Sequence, residues 1–339
     1  MPITEELKDK IVSLNPHHFE DLSLEVFRLQ ARQNAIYQQY LSHLAIKPEQ
    51  VHSLEQIPYL PIEFFKSHRI LSTSATVKTT FASSGTTGQI TSQHLVTDPD
   101  FYDAVSERIF EAFYGPLQDF HILALLPSYL ERSNSSLVHM VRHFIAKTQS
   151  DYSGFYLHNT DELLERLSVL RQKPEKKVLL IGVTFALLDL AETADLSFLE
   201  GMNQLIVMET GGMKGRREEL LREQLHEILT QAFHVPVIHS EYGMTELLSQ
   251  GYSFGEGLFH LPASMKITLR DVNDPFHLYQ PGQQTRSTGG INIIDLANID
   301  SCSFLETKDL GSYGREPQTF RVLGRFDNSD LRGCNLMVL

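Results

Sequence analysis

Cysteine is scarce in this chain: its 339 residues hold two, Cys302 and Cys334. Two thiols cannot build a disulfide framework, which excludes the small secreted scaffolds and favours a reducing compartment. Long apolar runs are missing as well. The most hydrophobic stretch, Val178 to Leu188, carries Gly182 and Thr184 inside it and falls well short of the ~20 residues a bilayer span needs. The N-terminus, MPITEELKDK, is charged almost at once and has no apolar signal-peptide core, so a cytoplasmic protein is expected. Positive charge is in deficit. With 29 Lys and Arg against 42 Asp and Glu, the net charge is −13, and nonspecific nucleic-acid or membrane-surface binding needs the opposite field. No nucleic-acid partner and no membrane span are therefore expected. There is no internal repeat, no low-complexity tract and no G-x-S-x-G elbow of a serine hydrolase. His139 and His143 stand one helical turn apart, but HMVRH lacks the Glu that zinc proteases require, so no zinc site is expected.

What is present is an ordinary globular composition, 42% hydrophobic and 21% charged, in a chain long enough for about two domains and a sizeable core. Apolar residues from Phe19 to Leu44 recur at helical spacing, giving one or two amphipathic helices. A Pro-punctuated segment follows, IPYLPIEFFKSHRI, and then a Ser/Thr/Gly-rich stretch. Between about 120 and 245, strand-like runs (His121 to Leu126, Val178 to Ile181, Leu205 to Met208, Val235 to Ile238) alternate with helical ones. The helices are expected over Ser135 to Lys147, Asp161 to Arg171, Thr184 to Ala194 and Arg216 to Ala232. Such alternation predicts an α/β body with a parallel or mixed sheet. Beyond about 255 the chain turns β-rich, with short strands at Met265 to Leu269, Ile291 to Ile294 and Thr319 to Leu323. The expected division is a helical segment over 1–70, an α/β body over 71–255 and a smaller β subdomain over 256–339.

Three segments carry candidate chemistry. The first is Ser83-Ser84-Gly85-Thr86-Thr87-Gly88. Its glycines let the backbone turn and aim N–H groups at an anion, and its four hydroxyls add donors. It is a phosphate-holding loop or a polar turn, and it is not a Walker A loop, since no Gly-Lys-Ser/Thr follows at the required spacing. The second is Ser240-Glu241-Tyr242-Gly243-Met244-Thr245-Glu246, after an apolar run, where an open α/β sheet places its ligands. Tyr242 offers a ring to stack a base and Glu246 a hard oxygen for Mg²⁺, although a capped strand-to-helix turn explains the same residues. The third is Thr210-Gly211-Gly212-Met213-Lys214-Gly215-Arg216-Arg217. Its cations sit where a helix macrodipole disfavours them, so either a bound anion or Glu218 and Glu219 compensate.

Together these segments resemble the core motifs of the adenylate-forming superfamily. SSGTTG is similar to its phosphate loop, ETGGMKG to its adenine-side turn and YGMTE to its adenine and Mg²⁺ motif. Lys308-Asp309-Leu310-Gly311 resembles its ribose-binding segment, and Gly324-Arg325-Phe326-Asp327 its hinge. Narrower still, LEVFRLQARQNAIYQQY, IPYLPIEFFKSHRI, YGMTELLSQGYS and the closing LRGCNLMV resemble the LuxE-type acyl-protein synthetases, with phenylacetate-CoA ligases as more distant relatives. The resemblance implies a large α/β body with a smaller β subdomain. It also implies ATP-dependent activation of a carboxylic, probably fatty, acid to an acyl-AMP. In it Ser83, Ser84, Gly85, Thr86, Thr87 and Gly88 hold the phosphates and Glu246 binds Mg²⁺. Glu241, Tyr242, Gly243, Met244 and Thr245, with Gly211 and Gly212, flank adenine, while Asp309 and Arg325 contact the ribose.

Two departures from the superfamily pattern stand out. Thr91 occupies the place of a lysine that often follows the phosphate loop. The sequence also runs only twelve residues past Asp327, which leads to the expectation that the lid domain with its adenylation lysine is lacking and that Lys214 substitutes. By the same resemblance Cys334, five residues from the end, accepts the acyl group as a thioester, a thiolate being a strong nucleophile. It then hands the group to an acceptor protein, a reductase or carrier. Cys302, in DSCSFLE, reads as a structural residue in a strand. Two other readings stay open: an acyl- or aryl-CoA ligase acting on free CoA, and a nucleotide- or acyl-binding partner subunit without chemistry.

Overall fold

The computed structural model describes residues 3–83, 90–126, 134–156, 159–211, 220–279 and 288–326. The chain divides into two compact units, one made of 1–74 with 263–339 and the other of 75–262.

The first unit opens with helices α1 (Ile3–Val12), α2 (Phe19–Gln33) and α3 (Ala35–His43). Asn34 divides the apolar stretch into two helices. Its backbone is extended, and its side-chain oxygen accepts from the Tyr37 N–H, capping α3. The apolar faces bury Leu22, Val26, Phe27, Leu29, Tyr37 and Leu41. A short strand β1 (Leu60–Pro61) and the single-turn helix α4 (Phe64–Ser67) follow.

The second unit begins with an antiparallel hairpin, β2 (Thr79–Ala82) and β3 (Gln93–Val96), whose connection contains the SSGTTG segment. Then come α5 (Pro99–Tyr114), β4 (Phe120–Leu125), α6 (Ser136–Thr148), β5 (Gly154–Tyr156), α7 (Thr160–Arg171), β6 (Lys177–Val183), α8 (Thr184–Thr193), β7 (Leu205–Thr210), α9 (Arg222–Phe233), β8 (His239–Tyr242), β9 (Gly251–Ser253) and β10 (Leu258–His260). Within this unit the strand order is β10-β9-β8-β7-β6-β4-β5, parallel from β8 to β5 and antiparallel from β8 to β10. Val178, Leu179, Leu180, Ile181 and Val183 are all buried. A continuous apolar run of this kind marks a parallel strand covered on both faces.

The expected strand at Val235 to Ile238 is displaced. Val235 donates back to the Thr230 carbonyl at the end of α9, and Pro236 has no N–H to give a ladder. Pairing with β7 starts only at His239, opposite Met208. Ser240, Glu241 and Tyr242 therefore lie in the strand, so successive side chains point to opposite faces of the sheet.

The first unit is completed by β11 (Met265–Arg270), β12 (Leu278–Tyr279), β13 (Thr288–Asp295), β14 (Phe304–Tyr313) and β15 (Thr319–Arg325). They form an antiparallel meander in the order β12-β11-β13-β14-β15, and β1 adds in parallel to β14. The turn between β13 and β14 is anchored to the helices. Gln30 Nε2 donates to the carbonyls of Asn298 and Ile299, both at 3.0 Å, and Asn34 Nδ2 to that of Ser301 at 2.9 Å. Cys302 lies in this turn rather than in a strand. It is fully buried, and burial pushes its thiol up to about 12. Among the described residues no helix is long and apolar enough to cross a membrane.

Candidate functional site

The parallel register of the second unit brings three strand ends together: Val183 faces Thr210, and Thr210 faces Glu241. The side chains there are laced to one another. Thr184, the first residue of α8, donates to Glu209 Oε2 (3.1 Å) and to the Gly211 carbonyl. Thr210 Oγ1 donates to Glu241 Oε2 at 2.5 Å. Gly211 has φ +68°, a left-handed turn that suits glycine. Gly243 is required for space: a Cβ there would sit 2.3 Å from Glu241 Oε1. The expected residues Gly211, Glu241, Tyr242 and Gly243 are thus gathered at the carboxyl edge of the sheet, where open α/β folds bind ligands.

The two faces of this edge differ. On one, Glu209, Ser240, Tyr242 and Phe259 meet α9. Arg222 Nη1 reaches Glu209 Oε1 (2.8 Å) and Ser240 Oγ (3.2 Å), with its guanidinium 5.3 Å from the Phe259 ring centroid. Burial pushes the Glu209 carboxyl up, but His226, Arg222 and Ser240 together hold it below the usual range. The Tyr242 ring lies 5.7 Å from that of Phe259. On the other face, His239, Glu241, Tyr252 and His260 meet the aromatic end of α5. Tyr114 OH and His239 Nδ1 are hydrogen-bonded at 3.0 Å, and burial pushes the His239 imidazole down to about 4.

The loop elements attach to this edge. Ser83 closes the base of its connection: its N–H donates to the Ser92 carbonyl and its Oγ accepts from the Ser92 N–H, both at 3.0 Å. From β3, the buried His94 hydrogen-bonds the Thr245 carbonyl at 3.0 Å, and burial holds it neutral by pushing its pKa down to about 4. The hairpin that frames SSGTTG is thereby tied to YGMTE. Met244 and Thr245 lie in the turn after β8, and Glu246 is buried there. Among the described residues no group of three or more His, Cys, Asp or Glu side chains forms a metal-holding cluster. A single carboxylate such as Glu246 still suits Mg²⁺, which is commonly held by one or two carboxylates plus substrate phosphates and water.

In the first unit, Asp309 and Arg325 face each other across β14 and β15, with Arg325 Nε 3.3 Å from Asp309 Oδ1. The Asp309 N–H donates to Thr307 Oγ1 at 3.1 Å, and that hydroxyl donates to the Ile291 carbonyl at 2.7 Å. Ser84, Gly85, Thr86, Thr87, Gly88, Gly212, Lys214 and Cys334 lie outside the described residues. Glu209, Arg222 and His94 were not expected from the sequence. The one signal for Glu209 is a lone carboxylate at the end of the apolar run LIVMET. Nothing local marks His94, whose partner is 151 residues away.

No curated protein matches the sequence. Solved structures do resemble the fold. An open conformation of 2-hydroxyisobutyryl-CoA ligase, in complex with 2-HIB-AMP and CoA, superposes with a TM-score of 0.64 at 13% identity, covering 91% of this chain and 70% of that one. An ATP-bound RpMatB-BxBclM chimera gives 0.52 at 16% identity, covering 73% and 47%. A fatty acid AMP ligase from Legionella pneumophila gives 0.50 at 14% identity, covering 76% and 51%. The chain spans about half the length of the first structures it matches. At these identities the likeness is one of fold: an α/β body of the adenylate-forming type, as the motifs imply. Residues 14–339 match the family described as acyl-protein synthetase, LuxE, and the chain belongs to that family.

Proposed function

We propose that this protein activates a carboxylic acid, of fatty type, with ATP and passes the acyl group through the Cys334 thiol to an acceptor protein. The observation that carries the activation step is the laced carboxyl edge, where Thr184, Glu209, Thr210, Glu241 and Gly243 preorganise a polar rim. Family membership supports it. A carboxylate oxygen attacks the α-phosphorus of ATP, the bond to the bridging β-oxygen breaks, and pyrophosphate leaves. The protein's work is to hold both reactants in line and to balance the developing charge. In this reading Ser83, Ser84, Gly85, Thr86, Thr87 and Gly88 hold the phosphates, with Lys214 beside them. Tyr242, Gly211, Gly212, Met244 and Thr245 flank the base, and Asp309 with Arg325 takes the ribose. Glu246 would hold Mg²⁺, which supplies charge neutralisation at the triphosphate when bound.

In the second step the Cys334 sulfur attacks the acyl carbonyl carbon, AMP leaves, and the thiol proton passes to solvent. Cys302 is unsuited to that step, since a buried thiol with its pKa pushed up to about 12 has almost no thiolate at neutral pH. ATP–pyrophosphate exchange over acids of graded length tests activation. Intact mass after incubation with ATP and acid tests transfer: the adduct should be removed by hydroxylamine and absent from Cys334→Ser. CoA-dependent AMP release unaffected by that substitution would replace the acceptor protein with free CoA.

A further inference from the structure

The face of the β8–β9 ribbon that carries Glu241 holds two buried polar atoms that no hydrogen bond satisfies. Among the described residues, Gln250 Oε1 and Tyr252 OH have no partner, though Gln250 is 3% exposed and Tyr252 1%. The Gln250 amide is oriented by its other end, Nε2 donating to the Leu248 carbonyl at 3.2 Å, so the oxygen is the free atom. An unsatisfied buried donor or acceptor is costly, and native structures keep few.

Their positions are related. Gln250 directly precedes β9, and a Cβ built on Gly243 would meet both Glu241 Oε1 and, at 3.7 Å, Gln250 Cγ. Tyr252 is the register partner of Glu241 on one side and of His260 on the other. Directly paired residues share a face. Both orphans therefore stand next to Glu241, at the strand end where the candidate site lies. Their surroundings are aromatic: the Tyr252 ring lies 5.7 Å from Phe113 and 5.3 Å from Tyr114. Phe254, two residues along the strand, lies 6.0 Å from Phe113 and is 38% exposed.

Tyr242, the base-stacking candidate, points to the opposite face of β8, towards Phe259. The orphan atoms are thus segregated from the base side and fall among rings suited to an acid's carbon skeleton. Resting on the activation reading above, we propose that Gln250 and Tyr252 select the acid: the substrate carries a hydroxyl or amide N–H that donates to Gln250 Oε1, with Tyr252 OH completing the contact, and is not a plain hydrocarbon acid. A site built to hydrogen-bond a substrate hydroxyl rejects the analogue that lacks it, because its own groups are then left unpaired.

The test is ATP–pyrophosphate exchange with matched acids: straight-chain acids with and without a hydroxyl at successive positions, and phenyl against hydroxyphenyl acids. Wild type should favour one hydroxylated member over its parent by roughly 10- to 100-fold in kcat/KM, the size of one satisfied against one unsatisfied buried group. Gln250→Leu and Tyr252→Phe should each shrink that ratio about tenfold or more while leaving KM for ATP unchanged. Tyr252→Phe removes only the orphan oxygen, so its melting temperature should equal or exceed that of wild type, which separates a ligand-reading hydroxyl from a structural one. Equal use of hydroxylated and parent acids, a variant ratio equal to that of wild type, a raised KM for ATP in Gln250→Leu, or a lowered melting temperature in Tyr252→Phe would each overturn the assignment. Absence of exchange with every acid, despite ATP binding, would instead overturn the activation reading on which it rests.

Discussion

Arg222 is the only cation within hydrogen-bond range of Glu209 among the described residues, and replacing it with Met isolates the energetics of the candidate edge. Nη1 sits 2.8 Å from Glu209 Oε1, while the next cationic group, His226 Nε2, is 3.7 Å away. Glu209 is 7% exposed and Arg222 31%. Breaking a buried pair by removing one partner costs about 3–5 kcal/mol, because a charge stays buried without its partner. The partial exposure of Arg222 and the surviving Thr184 hydroxyl reduce this to about 2–3 kcal/mol. For a unit of 150–250 residues each kcal/mol lowers the melting temperature by about 2–4 °C, so a fall of about 4–12 °C is expected at pH 7. The sign of the pH dependence is set by the depressed Glu209 carboxyl. A carboxyl held below its unfolded value contributes stability above that value and loses it as pH falls through the folded one. The deficit of Arg222→Met should therefore be full at pH 7 and should shrink below about pH 4.5, where protonation neutralises the stranded charge. Thermal melts of wild type, Arg222→Met, Glu209→Gln and the double variant between pH 4 and 8 give the coupling directly. A deficit under 2 °C at pH 7, or a double variant no more stable than Arg222→Met, would refute the pairing as a determinant of this edge.

Three further outcomes follow from other contacts. Gly243→Ala should force the Glu241 carboxylate off Thr210, given the 2.3 Å approach of a Cβ to Oε1; pyrophosphate exchange should fall about 10- to 100-fold, the size of a lost charged hydrogen bond. His94 and His239, both pushed down to about 4 by burial, are neutral when folded and protonate near pH 6.5 when unfolded, so stability should drop as pH falls from about 6.5 to 4. The slope should reach about 1.4 kcal/mol per pH unit per histidine at most and be shallower in His94→Asn, which chemical denaturation at fixed pH values measures. In the Cys334→Ser background, iodoacetamide at pH 8 should leave the buried Cys302 unmodified until denaturant is added, as mass spectrometry would register.

Much of the edge was legible in the sequence because it is built from contiguous motifs. ETGG and EYGMTE each set a strand end and the turn after it, and glycine is required at Gly211 for its left-handed φ and at Gly243 for space. The alternation of apolar runs with helical periods gave the parallel strands, since burial on both faces leaves a continuous apolar signature. The displaced strand at Val235 to Ile238 shows where that signature misleads. Those residues are largely buried, but Pro236 denies them a ladder, so burial without pairing reads like a strand. The consequence is functional, because moving the strand onto Ser240–Tyr242 sends Glu241 and Tyr242 to opposite faces. Contacts made across the fold were not legible. His94 meets Thr245 through tertiary packing, Arg222 meets Glu209 across a helix-sheet interface, and Gln30 reaches Asn298 and Ile299 over a separation of 268 and 269 residues. None of these has a local spacing rule. The orphaned Gln250 and Tyr252 are of the same kind, since two ordinary residues become notable only once their neighbours are known.

Activation followed by thioester formation at Cys334 is tested most directly by intact-mass spectrometry of the protein after incubation with ATP, Mg²⁺ and an acid that supports exchange. The expected result is a single acyl increment on wild type that requires ATP and acid together, is released by hydroxylamine, and is absent from Cys334→Ser although that variant still catalyses pyrophosphate exchange. An increment that persists in Cys334→Ser, or exchange with no covalent adduct on wild type, would contradict it.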